Sequence, residues 1–227
     1  MSDHFTYETF AFLSELAEHN NRDWFNQHKD RYEAVVREPA LALIRAVGEQ
    51  LPDFAPAFRA DARKLGGSLM RIYRDTRFGK DKSPYKTNIG IQFRHEAGKD
   101  VHAPGFYIHI SGGECFVGVG IWHPPSDALL KVRTAIVERP AQWLAARDDA
   151  EFSRWYRLSG ESLKTAPRGF DRNHALIDDL KRKDFIAVSD LAPELIEQPD
   201  FADIACDYFR AGVPMMRFLC AALRLRF

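Results

Sequence analysis

Four short runs between Met70 and Ile121 place apolar residues at every second position: Met70-Arg71-Ile72-Tyr73-Arg74, Ile89-Gly90-Ile91-Gln92-Phe93-Arg94, Phe106-Tyr107-Ile108-His109-Ile110 and Phe116-Val117-Gly118-Val119-Gly120-Ile121. A period of two is that of a strand with one buried face. The connections are too short for helical crossovers, so the runs predict an antiparallel meander with Gly112-Gly113 in its last turn. Helical spacing flanks the meander on both sides. Phe10, Leu13 and Leu16 suggest a first helix. A second begins near Asp23 and turns Trp24, His28, Tyr32 and Val35 to one side. Pro39 ends or kinks it, or stands as the first residue of a third helix, which carries Leu41, Ile44, Val47 and Leu51 and is expected to stop at Pro52. After Pro124-Pro125, Ser126 reads as a cap and Pro140 as a helix start; Phe185 to Val188 reads as an extra edge strand, and Pro214 interrupts the last apolar run. The expected fold is α+β: a meander of four or five strands, helices mainly on one face, and helical segments at both termini. No repeat or linker divides residues 1–227, which read as a single domain.

Strand alternation sorts these side chains onto two faces. One face is a core of Met70, Ile72, Ile89, Ile91, Phe93, Phe106, Ile108, Ile110, Val117, Val119 and Ile121. The other collects Arg71, Tyr73, Gln92, Arg94, Tyr107, His109 and Ser111, with Trp122 at its far edge. Gly90, Gly118 and Gly120 share this polar face, so side chains are missing where hydrogen-bonding groups surround the gap. Interior strand glycines mark close approach by a ligand or by another backbone, so the expectation is a concave floor, with a closely packed helix as the alternative.

Arg71 to Thr87 carries six cations, Arg71, Arg74, Arg77, Lys80, Lys82 and Lys86, against Asp75 and Asp81. The whole chain balances 32 Lys and Arg against 32 Asp and Glu, so the basic character is local. Like charges gathered on a strand and turn repel unless an anion or internal acids meet them. The anion expected is a phosphate or carboxylate at the rim of the glycine floor. Arg168, and Lys181 and Lys183, would contribute if the fold returns them to it; solvated helix ends are the plainer reading.

The run Arg71 to Thr87, with N-N-R-D-W-F at Asn20 to Phe25, G-F-Y-I-H-I at Gly105 to Ile110 and P-R-G-F-D at Pro167 to Asp171, resembles the bacterial and fungal family known as domain of unknown function 2461. The resemblance spans nearly the whole chain and implies a soluble single-domain protein that holds these motifs together. It assigns none of them a role.

Several function classes lack their motifs. There is no G-x-S-x-G and no G-x-x-x-x-G-K. The eight histidines, among them His95, His102, His109 and His123, show no metal-ligand spacing, and no metal or other cofactor is expected. Cys115, Cys206 and Cys220 are an odd number without C-x-x-C spacing, which suits reduced thiols in a cytoplasmic protein. No apolar run is long enough to span a membrane. The reading is therefore a small-anion binder, with Arg71, Tyr73, Arg74, Arg77, Lys80, Lys82, Lys86, Tyr107, Trp122 and Arg168 as ligand-binding residues and His109 as the candidate catalytic group. The alternative is a nucleic-acid or protein interaction module that uses the same loop. The sequence leaves the reaction and the oligomeric state open.

Overall fold

A computed structural model describes residues 3–77, 81–98 and 103–227. The fold is α+β, as the changes of period imply. The first helix, α1 (Tyr7–Glu18), starts in a reciprocal Thr6–Thr9 capping box and buries Phe12, Leu13 and Leu16. Helix α2 (Arg22–Gln27) is capped by Asn21, whose side chain accepts the Trp24 N–H at 2.9 Å. Beyond α3 (Lys29–Tyr32) the chain passes through a widened π turn, Glu33–Arg37, into α4 (Glu38–Phe54).

Pro39 does not end this run, and it sits in the first turn of α4, as expected of a helix start. Its missing N–H would have bonded to the Val35 carbonyl, which instead accepts the buried Thr9 hydroxyl at 2.7 Å. The lost bond is replaced from α1, and the helix continues. Pro52 is also no stop: α4 runs on to Phe54, where the Ala55 N–H still reaches the Leu51 carbonyl at 2.8 Å.

Among the described residues the sheet has six strands, all antiparallel, in the order β1 (Phe58–Arg59), β2 (Asn88–His95), β3 (Gly105–Ser111), β4 (Cys115–Ile121), β6 (Phe185–Asp190) and β5 (Arg157–Ser159). β2, β3 and β4 form the expected meander. Two expectations are corrected. Phe185 to Val188 lies within β6, which pairs on both sides rather than at an edge. Met70 to Arg74 is not a regular strand: Leu69 bridges to Ile91, the chain bends at Ile72, and Tyr73 bridges to Tyr85. Charged residues crowd this segment, so it lacks the continuous apolar face that holds a full strand in register.

One sheet face is the core. Ile89, Ile91, Phe93, Phe106, Ile108, Ile110, Val117, Val119 and Ile121 are all buried, under α4 and two C-terminal helices, Phe201–Ala211 and Val213–Ala222. Gly212 joins these two helices, and a Cβ there would lie 2.7 Å from Val119 Cγ1, so the pair approaches β4 closely. Pro214 sits in the first turn of the second helix, where no N–H is needed. α5 (Ser126–Glu138) begins at Ser126 itself, with Pro125 in the cap position, and Pro140 opens α6 (Pro140–Arg147).

Candidate functional site

The register places the opposite face in rows. Gly90, His109, Phe116 and Asp190 follow one another across β2, β3, β4 and β6. The next row is Gln92, Tyr107, Gly118, Val188 and Arg157; the third is Arg94, Gly105, Gly120, Ile186 and Ser159. Over these rows lies a hollow of about 490 Å³, within the size range of small-molecule sites. Its glycines act differently. Gly120 has φ +122° and passes so close to β6 that a Cβ would overlap the Phe185 carbonyl oxygen. Gly90 is covered, because a Cβ there would meet Tyr107 Oη at 2.7 Å and Met70 Sδ at 3.0 Å. At Gly118 a Cβ would meet its neighbours at ordinary contact distance, the nearest being Phe116 Cε2 at 3.7 Å, and at Gly105 the nearest would be the Phe93 carbonyl oxygen at 3.4 Å.

Tyr107 and His109 form the polar centre of the hollow, with Tyr107 Oη 3.3 Å from His109 Nδ1. Burial pushes the phenol pKa up to about 12, so it keeps its proton and is able to donate it to Nδ1. Burial also lowers the His109 pKa, against a smaller opposing pull from Glu114. A neutral imidazole that accepts at Nδ1 carries its proton on Nε2. The His109 ring lies against Phe116, centroids 4.8 Å apart and 4° from parallel. Among the described residues the charged lining comprises one cation, Arg157, and two carboxylates, Glu114 and Asp190. Arg157 is already held by Asp190 through bonds of 2.7 and 2.8 Å.

The basic segment lies elsewhere. Because Leu69 pairs with Ile91, Met70 rather than Arg71 covers the floor beside Gly90. Beyond the bend, residues 72–74 and 84–86 pair as a hairpin, with Lys86 N–H on the Ile72 carbonyl at 2.7 Å and Arg74 N–H on the Pro84 carbonyl at 2.9 Å. The Asn20 amide bonds both backbone groups of Tyr85 at 3.0 Å, fastening the hairpin to the start of α2. Between them lies a second depression of about 480 Å³, lined by Arg22, Asn26, Tyr73, Arg74, Thr76, Lys82, Pro84 and Tyr85.

The expected site residues therefore divide. Tyr107, His109 and Trp122 line the hollow. Tyr73, Arg74 and Lys82 line the hairpin depression. Arg74 pairs with Asp81, and Arg77 with Asp75, whose carboxyl it holds well below the usual range. Lys82 Nζ donates to the Thr76 carbonyl at 2.8 Å. Lys86 has no acid partner among the described residues; burial lowers its pKa, and the neighbouring Arg71 lowers it further. Arg168 is exposed on the turn after Pro167 and lines neither depression. Lys181 and Lys183 pair with Asp178 and Glu161. Lys80 and His102 lie outside the described residues. Gly105, Arg157, Ser159, Ile186, Val188 and Asp190 in the hollow, and Arg22 and Asn26 in the depression, were not expected. Gly105 carried a readable signal, since it shares the alternation of Tyr107; Arg157 and Asp190 carried none, because their neighbourhood depends on which strand pairs with β4.

Burial raises the thiol pKa of Cys206 to about 11 and of Cys220 to about 12, so neither is a thiolate near neutral pH. Among the described residues no helix is long and apolar enough to cross a membrane, and no cluster of His, Cys, Asp and Glu is placed to hold a metal ion.

An antiparallel sheet with helices on one face and a glycine-floored hollow on the other defines an α+β protein with a recessed site on its open sheet face. The chain belongs to the family described as conserved hypothetical protein (DUF2461), whose model matches residues 8–218. No curated protein and no solved structure matches it.

Proposed function

We propose that the protein binds a flat, uncharged small molecule in the hollow, with His109 as the group that exchanges a proton with it. The observation that carries this reading is the hollow over Gly118, where an added Cβ would meet Phe116 and Tyr107 only at ordinary contact distance, in a lining whose one cation among the described residues is already paired. A ring laid on this floor meets aromatic carbon and backbone at ordinary contact distance. The His109 Nε2–H offers a donor, and the Gln92 amide, which also lines the hollow, offers a donor and an acceptor. A lactam or amide edge matches that set. A phosphate does not, because it would enter beside Glu114 and Asp190. The anion expected from the sequence is thus separated from the sheet face.

The test is a titration of neutral cyclic amides and lactams followed in backbone amide spectra. Binding in the hollow shifts the signals of Tyr107, His109, Gly118 and Gly120, and Gly118→Val abolishes those shifts while the protein stays folded. Absence of shifts at these positions across the series, or their survival in Gly118→Val, would refute the reading.

A further inference from the structure

The hairpin depression is a different kind of site, and its argument stands independently of the hollow. Tyr73 is 56 % exposed although it belongs to an aromatic series that reaches the core. Its ring lies 5.4 Å from that of Tyr85, which stacks on Phe25 at 4.1 Å and 23°. Phe25 is buried, and the Asn20 amide fixes the Tyr85 backbone on both sides. The exposed ring is therefore held on a braced base, and its open side adjoins a cavity large enough for a nucleotide-sized ligand.

Cations surround it. Arg22 and Lys82 have no acid partner among the described residues; Lys82 makes one bond, to a carbonyl. Arg74 is paired with Asp81, so the lining is positive on balance. Arg71, just before the hairpin, and Lys86, on it, repel each other and add to that field. A guanidinium and an ammonium suit phosphoryl oxygens, and an exposed phenol ring suits the face of a base. The two depressions thus differ in chemistry: the hollow carries carboxylates and its cation is paired, whereas the hairpin depression is cationic with an exposed ring.

We propose that the depression between α2 and the 72–86 hairpin binds a nucleoside monophosphate, the base on Tyr73 and the phosphoryl group between Arg22 and Lys82. A single-stranded nucleic acid shares this chemistry, but Asn26, Thr76 and Pro84 complete the lining of one compact depression, which favours the smaller ligand.

The experiment titrates the full chain with adenosine monophosphate, adenosine, inorganic phosphate and a short oligothymidylate, read by calorimetry and by the amide signals of Arg22, Tyr73 and Lys82. Adenosine monophosphate is expected to bind more tightly than adenosine or phosphate alone. Arg22→Ala and Lys82→Ala should each weaken it by about tenfold to a hundredfold, as loss of a charge-assisted hydrogen bond requires. Tyr73→Ala should weaken it by about tenfold while Tyr73→Phe keeps the affinity, since the ring face and not the hydroxyl makes the contact. Gly118→Val should leave it unchanged, which separates this site from the hollow. The proposal is overturned if adenosine binds as well as its monophosphate, if the variants bind like the parent, or if only the oligothymidylate binds, with the steep salt dependence of a polyelectrolyte.

Discussion

Replacing Gly118, Gly90 and Gly120 in turn by alanine is expected to give three different stabilities, although all three glycines face the same side of the sheet. At Gly118 the added methyl meets nothing closer than 3.7 Å. Alanine there restricts the unfolded chain without straining the folded one and should stabilise by about 0.5 kcal/mol. At Gly90 the methyl would sit 2.7 Å from Tyr107 Oη and 3.0 Å from Met70 Sδ, both ends of movable side chains. Those ends must turn away, and losing the Tyr107–His109 bond costs about 1 kcal/mol. At Gly120 both the φ of +122° and the backbone of Phe185 and Ile186 oppose a side chain. Backbone strain of about 1 to 3 kcal/mol, with a disturbed ladder bond of about 1 kcal/mol, sums to about 3 kcal/mol. For a chain of this length that lowers the melting temperature by about 6 to 12 °C. Thermal unfolding followed by circular dichroism at one protein concentration ranks the three. If Gly118→Ala melts as low as Gly120→Ala, the floor is packed rather than open, and the argument for a ligand over it fails.

Two further predictions concern titration and loop anchoring. Burial lowers the His109 pKa, so the folded protein binds fewer protons than the unfolded chain below the ordinary histidine value of about 6.5; its contribution to stability is present above that pH and is lost as pH falls from there through the lowered folded-state value. The imidazole proton resonance should titrate below 6.5, and Glu114→Gln should lower the midpoint further; a midpoint at or above 6.5 contradicts the assignment. The Asp184 carboxylate is buried and accepts the backbone N–H of His123 at 2.7 Å and of Glu161 at 3.0 Å. Asp184→Ala should therefore destabilise by about 2 to 4 kcal/mol, and Asp184→Asn, which keeps one acceptor oxygen, by about half as much. Equal melting temperatures for the two variants would show that packing, not these bonds, holds the loops.

Much of the fold is legible in the sequence because β2, β3 and β4 each have one apolar face, and a one-residue slip in any of them would turn that face to water. The same alternation places Tyr107, His109, Gly90 and Gly118 on one side without reference to any other strand. It fails where a residue's position depends on a partner far along the chain. β6 and β5 enter the sheet from beyond residue 150, so Arg157, Ile186, Val188 and Asp190 reach the hollow through a pairing that no local pattern announces. Pro39 is legible as the start of a helix, but that the helix before it runs on without a break depends on Thr9, thirty positions earlier in the sequence.

The division of the anticipated anion site has a single structural cause. Extending the alternation of Met70 to Arg74 assumes one straight strand, which would set Arg71 beside Gly90 and carry the cations to the rim of the floor. Instead the pairing of Leu69 with Ile91 uses the sheet contact of this segment one residue earlier, and the bend at Ile72 frees residues 72–74 to pair with residues 84–86. Once Asn20 fastens Tyr85 to the start of α2, the cations of the hairpin face Arg22 rather than His109. The two motifs N-N-R-D-W-F and R-I-Y-R-D-T-R thereby meet across Phe25 and Tyr85, while G-F-Y-I-H-I stays with the sheet. Charge and hydrogen-bonding chemistry that looked like parts of one site are therefore kept apart by the fold, so mutations in one depression should leave ligand binding in the other unaltered, with coupling energies in a Gly118/Arg22 double-mutant cycle below about 0.5 kcal/mol.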